Sequence, residues 1–241
     1  MNRLQSELHR LYLPRSSAQA ENDPRSSPLI DREGRVRALV MELTRPASWG
    51  LLSSVWQGVQ AELGLPAPAI AVSGIDGLQL WFSLAEPVTA AQGHVFLDSL
   101  RARFLADIDA RRVRLMPASG ASALHAGVVP ALQEETGNWS AFVAPDLAPI
   151  FAETPWLDIA PSEEGQATLL RGLETMKPAA FEEALQRLTT ASDTSAAPSA
   201  ARQPESAAAD QDPRRFLLGV MNDETVTLAL RIEAAKALLQ R

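Results

Sequence analysis

Two spacings of hydrophobic residues alternate along this chain. Leu4, Leu8 and Leu11 recur at helical spacing, which predicts a short amphipathic helix ending before Pro14. Residues 15–30 are rich in Ser, Pro and charge and read as a loose tether, so the compact domain is expected to begin near Asp31. From Arg35 to Leu43 the period drops to two, with Val36, Ala38 and Val40 alternating with Arg35, Arg37 and Leu39, which predicts a strand. Thr44 and Pro46 open a helix that carries Leu52, Val55, Trp56, Val59 and Leu63 on one face and ends at Gly64 and Pro66. Ala69–Val72, the turn Ser73-Gly-Ile-Asp-Gly77, and Leu78–Leu84 read as a hairpin. Thr89 with Gln92 looks like a capping box, and the helix it starts turns Phe96, Leu97, Leu100 and Phe104 inward, ending near Asp107. A basic strand over Arg112–Met116, an irregular stretch over 117–138, a strand over Trp139–Val143 and a short helix over Pro145–Phe151 follow. Helical spacing returns over Ser162–Met176 and Pro178–Leu188.

The order strand, helix, hairpin, helix, strand, then mostly helix gives an α+β class: a small sheet with flanking helices, followed by a helical region. Residues 190–213 are dominated by Ala, Ser, Pro, Asp and Gln; too little apolar surface is present to offset the entropy of ordering, and a disordered linker is expected. The domain reading is thus 1–30 as N-terminal helix and tether, 31–189 as core, 190–213 as linker and 214–241 as a helical tail. That tail carries Phe216 and Met221, then Leu228, Ile232 and Leu239 on one stripe. Short isolated helices are marginal, so the tail is expected to dock on the core, pair with another copy or fold on a protein partner.

Composition narrows the function classes. The chain has 241 residues and no cysteine, which excludes disulfides and thiolate metal sites. No window is long and apolar enough to span a bilayer, and Met1–Arg10 lacks the apolar core of a signal peptide. A cytoplasmic protein with no membrane partner is expected. The formal charge of −7 has the wrong sign for coating nucleic acid through bulk electrostatics, so any such contact needs a local basic patch.

Candidate chemistry is concentrated around the hairpin. Ser73-Gly74-x-x-Gly77 exposes backbone N–H groups and a hydroxyl at a turn, a cradle for phosphate; equally, the glycines serve the geometry of the hairpin alone. Arg112 and Arg114 fall on one face of a strand and can grip phosphate, or form a solvated edge paired with nearby acids. His9, His94 and His125 show no metal-ligand spacing, and His94 is expected at the surface of its helix. The tryptophans read as core anchors, with Trp81 the one to test as a base-stacking platform.

Residues Ile70 to Pro87 resemble the second motif of the archaeo-eukaryotic primase superfamily, especially the primase-polymerases of plasmids and phages. There Ser-Gly-x-Gly-x-His lies on a hairpin before an aromatic-rich strand; here stand Ser73-Gly74, then Gly77, then Gln79 in place of histidine, then Leu80-Trp81, with one extra residue of spacing. The family's preceding strand bears Asp-x-Asp, and Leu39–Leu43 offers the single acid Glu42. The family's following strand brings a further acid, and Leu105–Pro117 resembles it with Asp109, Arg112 and Arg114. The resemblance covers residues 33–145. It implies a primase-like fold whose phosphate or nucleotide site comprises Ser73, Gly74, Gly77, Gln79, Arg112 and Arg114.

Two-metal nucleotidyl transfer needs a carboxylate cluster holding two ions about 4 Å apart, and Glu42 with Asp109 supplies too few oxygens. Gln79 cannot carry the charge of an imidazolium. The expectation is therefore a catalytically degenerate, primase-like protein that binds single-stranded nucleic acid or nucleotide, with no cofactor and no catalytic residues. One alternative is a divergent nucleotidyl transferase using Mg²⁺ or Mn²⁺ at Glu42, Asp109 and Asp107. Another is a structural or assembly protein with no nucleic-acid role. Residues 212–241 resemble a phage small-terminase-like helical module, which implies a mobile-element or phage-related setting and self-association or partner binding through the tail.

Overall fold

The structure is a computed structural model that describes residues 2–15, 28–119 and 124–196, with side chains described as far as Thr190. Backbone contacts divide the chain into a unit Met1–Ala196 and a second unit Ala197–Arg241. The tail residues Phe216, Met221, Leu228, Ile232 and Leu239, and all but the start of the expected linker, lie outside the described residues.

The first unit is α+β, as its pattern of periods predicts. One antiparallel sheet has the strand order β4-β1-β3-β2-β5, with β1 Arg35–Leu43, β2 Ala69–Val72, β3 Leu78–Thr89, β4 Val113–Met116 and β5 Ala141–Val143. Helices cover both faces. Leu39, Met41, Leu43, Ile70, Val72, Leu78, Leu80 and Phe82 share one core with α2 (Trp49–Ala61), α3 (Ala90–Phe104) and α5 (Pro178–Ala196). Ala38, Val40, Ala69, Ala71, Trp81 and Phe142 share the other with α1 (Arg3–Leu11) and α4 (Glu163–Arg171). Alternation along each strand therefore sorts residues between two buried faces rather than between core and water.

Several sequence expectations are corrected. The N-terminal helix belongs to the core: Leu4, Leu8, Leu11 and Tyr12 are buried, and Tyr12 packs edge-on against Trp81 with ring centroids 5.2 Å apart. Its C-terminal end is fixed by Arg37, a buried side chain whose guanidinium donates to the carbonyls of His9, Arg10, Leu13 and Leu84. Cations suit the last carbonyls of a helix, so the compact unit begins at α1, not at Asp31. The pairing register shifts between Val36 and Ala38, so Val36 shares a core with Leu39 rather than with Ala38 and Val40.

The second helix is capped by Ser48, not opened by Thr44 and Pro46, because the Ser48 hydroxyl accepts the Leu51 N–H. The Thr89–Gln92 capping box forms as read, but α3 stops at Phe104, short of Asp107. Strand β3 runs to Thr89, past Leu84, and α5 continues to Ala196, into the segment read as linker.

Candidate functional site

Glu42 is a carboxylate buried within the sheet. It sits next to the end of β1 and is 4 % exposed. Its register partners are Gln79 on β3 and Arg114 on β4. Facing positions on neighbouring strands point the same way, so the three side chains meet on one face of the sheet. Gln79 Nε2 donates to Glu42 Oε2 at 2.9 Å, and Arg114 Nη1 donates to Glu42 Oε1 at 3.1 Å. The same Arg114 nitrogen reaches Asp76 Oδ1 at 3.3 Å. On the inner side, Gln79 Oε1 accepts the indole N–H of Trp81 at 2.8 Å. A continuous hydrogen-bonded line thus runs from the buried Trp81 through Gln79 and Glu42 to the half-exposed Arg114 and Asp76.

Burial raises the Glu42 pKa, while the Gln79 and Arg114 hydrogen bonds and the Arg114 charge pull it back; Asp76 adds a smaller upward push. A lone buried carboxylate would be costly without these donors. The hairpin is shaped to the same cluster: a Cβ added at Gly77 would fall 2.6 Å from Glu42 Oε1.

The structure brings Glu42, Gln79 and Arg114 together and adds Asp76, but leaves other expected residues elsewhere. The N–H groups of Ile75, Asp76 and Gly77 all donate to the Ser73 hydroxyl, at 3.1, 3.1 and 2.9 Å, and the Gly74 N–H donates to the Pro155 carbonyl. The turn's donors are thus already used by the turn and its neighbouring loop. Gly74 has φ +80°, and a Cβ there would lie 2.8 Å from the Ser140 nitrogen, so glycine is required for the close approach of residues 133–140.

Arg112 lies in the 3₁₀ turn of residues 110–112 rather than in the strand, which begins at Val113. Its Nη2 donates to the Pro46 carbonyl at 2.6 Å, and its buried Nε has no partner. Asp109 is exposed and accepts the Arg111 N–H, capping that turn. Trp81 is fully buried against Tyr12 and Phe142, which removes it as a stacking platform.

The histidines hold loops in place. The His125 ring bridges the Ala38 carbonyl, 3.0 Å from Nε2, and the Ala126 N–H, 2.8 Å from Nδ1; burial lowers its pKa to about 4. His94 is half-buried rather than at the surface, with Nδ1 3.1 Å from the Pro117 carbonyl. Among the described residues no three His, Asp or Glu side chains gather closely enough to hold a metal ion. At Glu42 both carboxylate oxygens accept hydrogen bonds, from Gln79 and Arg114, where a divalent ion wants several oxygen ligands.

Sequence reasoning missed Asp76 as a partner of Arg114, and it missed Arg45 and Trp156. Arg45, just past β1, places its guanidinium 5.9 Å from the centre of the Trp156 ring. Nothing in the local pattern of either residue signals that contact, which depends on the irregular chain after β5.

Comparison with known proteins adds little to this geometry. No protein-family model and no curated protein matches the chain. Among solved structures, the polymerase domain from Mycobacterium tuberculosis ligase D in complex with DNA matches at 20 % identity with a TM-score of 0.32. The match covers 65 % of this chain and 53 % of that one, so the chain spans about half the neighbour's length. A likeness at that TM-score carries no argument about this chain. Among the described residues no helix is long and apolar enough to cross a membrane.

Proposed function

We propose that this protein is a primase-like binder of nucleic acid or nucleotide whose Glu42 site has lost catalysis. The observation that carries the proposal is the convergence of the strand acid Glu42, the post-hairpin residue Gln79 and the following strand's Arg114 on one sheet face. That is the order and meeting point which the sequence resemblance over residues 33–145 implies for its motifs. The loss of catalysis is supported by where the oxygens go. Glu42 is engaged at both oxygens, Asp76 is held by Arg114, and Asp109 caps a turn. Two-metal transfer needs several carboxylate oxygens to hold the ions, which in turn bind the phosphates.

The hairpin enters this reading as a scaffold rather than a phosphate cradle, because its N–H groups are internally bonded.

The test is incubation of the full chain with labelled nucleotides, primed template and Mg²⁺ or Mn²⁺, alongside a binding titration with nucleotide and with single-stranded oligonucleotide. Binding without incorporation is expected. Template-dependent incorporation that is lost in Glu42→Ala would establish the nucleotidyl-transferase alternative. Absence of binding to either probe would leave the assembly role.

A further inference from the structure

We infer that the end of β1 and the start of β4 form a binding rim for single-stranded nucleic acid, with Trp156 stacking a base and Arg45 and Arg111 contacting phosphate. This rests on the nucleic-acid reading proposed above, and it names a surface that lies outside the Glu42 cluster.

Two crossing contacts build the rim. The Thr44 N–H and hydroxyl both donate to the Arg112 carbonyl, at 2.8 and 3.2 Å. In return, Arg112 Nη2 donates to the Pro46 carbonyl at 2.6 Å. These contacts hold Arg45 beside the 110–112 turn, so Arg45, Arg111, Arg112 and Arg114 gather at one edge of a chain whose formal charge is −7. Their partners differ. Arg114 is bound to Glu42 and Asp76, whereas no carboxylate of the described residues lies within ion-pair distance of Arg45, Arg111 or Arg112. Arg45 and Arg111 are exposed. An exposed arginine without an acid partner keeps its fork of donors for phosphate.

Trp156 supplies the second element. It is half-buried, and the Arg45 guanidinium lies over its ring at 5.9 Å from the centroid. A base stacking on that indole face takes the place of the guanidinium, which then turns to phosphate; sequence-tolerant binding of single strands combines such platforms with positive grooves. The Trp156 loop is anchored on both sides: Gly74 N–H donates to Pro155 O at 3.0 Å, and Leu157 pairs with Trp139. Gly74 therefore matters to the rim through that N–H, while its missing side chain leaves room for Trp139 and Ser140 beside it. The platform is fixed by backbone bonds before any ligand arrives, which lowers the cost of ordering on binding.

The test uses the full chain and fluorescently labelled oligo(dT) or oligo(U) of about 15 nucleotides, titrated over a salt series, with labelled nucleotide in parallel. Wild type is expected to bind with log K falling linearly against log salt, and Arg45→Ala and Arg111→Ala each to flatten the slope by about 0.7. Trp156→Ala is expected to weaken binding about tenfold or more at every salt concentration, and Trp156→Phe to retain most of it. Arg171→Ala, on α4, is the control and should match wild type. Should Trp156→Ala melt early, Trp156→Phe and Arg45→Glu decide the matter.

Oligonucleotide binding that is indifferent to Arg45→Glu and to both Trp156 variants would overturn the rim and leave the proposed function standing. Nucleotide binding without oligonucleotide binding would do the same. Binding of neither probe would overturn both.

Discussion

Gln79 decides how the buried polar line through the sheet is satisfied. It accepts from Trp81 and donates to Glu42 with one amide, so removing it strands two buried groups at once. Gln79→Ala should cost roughly 2–4 kcal/mol of unfolding free energy, since each orphaned buried polar group costs about 1–3 kcal/mol; a urea melt measures it. Glu42 and His125 bring opposite pH dependences. The Glu42 carboxyl binds its proton more tightly when folded, so its contribution is fully present in acid and declines as pH rises through the raised pKa. Wild type should therefore lose stability relative to Glu42→Gln as pH rises from the acid range toward neutrality. His125 has a folded pKa lowered from 6.5 to about 4, so the unfolded chain takes up the proton first and stability falls as pH drops through that window. The loss should be on the order of 3 kcal/mol, and it should vanish in His125→Asn; melts at a series of pH values test both.

Among the elements, β5 shows how a three-residue edge strand is protected. The Gln166 side chain on α4 accepts the Phe142 N–H at 2.7 Å and donates to the Phe142 carbonyl at 2.9 Å, imitating one residue of a further strand. Gln166→Ala should expose that edge, lower stability by about 2 kcal/mol and speed hydrogen exchange at the Phe142 amide; unchanged exchange would mean the clamp is dispensable. No local pattern announces this role, because Gln166 reads as an ordinary polar position on a helix. The same limit explains what the sequence showed of the fold. Strands β1 and β2, the Thr89 cap and the helical faces were legible because period, cap chemistry and β-branched content agree there. The Glu42–Gln79 pairing was legible through motif order alone. Arg112 was read into the strand although it lies in a 3₁₀ turn, and turns of that length leave no periodic trace. Arg45 over Trp156 was invisible, since it joins residues far apart through irregular chain.

For the whole first unit, the sheet is the middle layer of three, and each outer layer is needed. Helix α1 and its C-cap supply Leu4, Leu8, Leu11 and Tyr12 to the core shared with Trp81 and Phe142. A chain beginning at Asp31 should therefore fail to melt cooperatively and should bind hydrophobic dye, in contrast to the full chain. A cooperative melt at the full chain's temperature would return α1 to the status of an appendage.

The nucleic-acid reading makes its sharpest claim about which groups bind and which merely hold the sheet together. Glu42 is buried and occupied by its neighbours, so it has no part in contacting a strand. The direct measurement is the salt-dependent affinity of the full chain for a labelled single strand, compared between wild type and Glu42→Gln. The account predicts measurable binding that weakens with salt along one shared line for both proteins. No binding at low salt, or binding that disappears with Glu42→Gln while the fold persists, would contradict it.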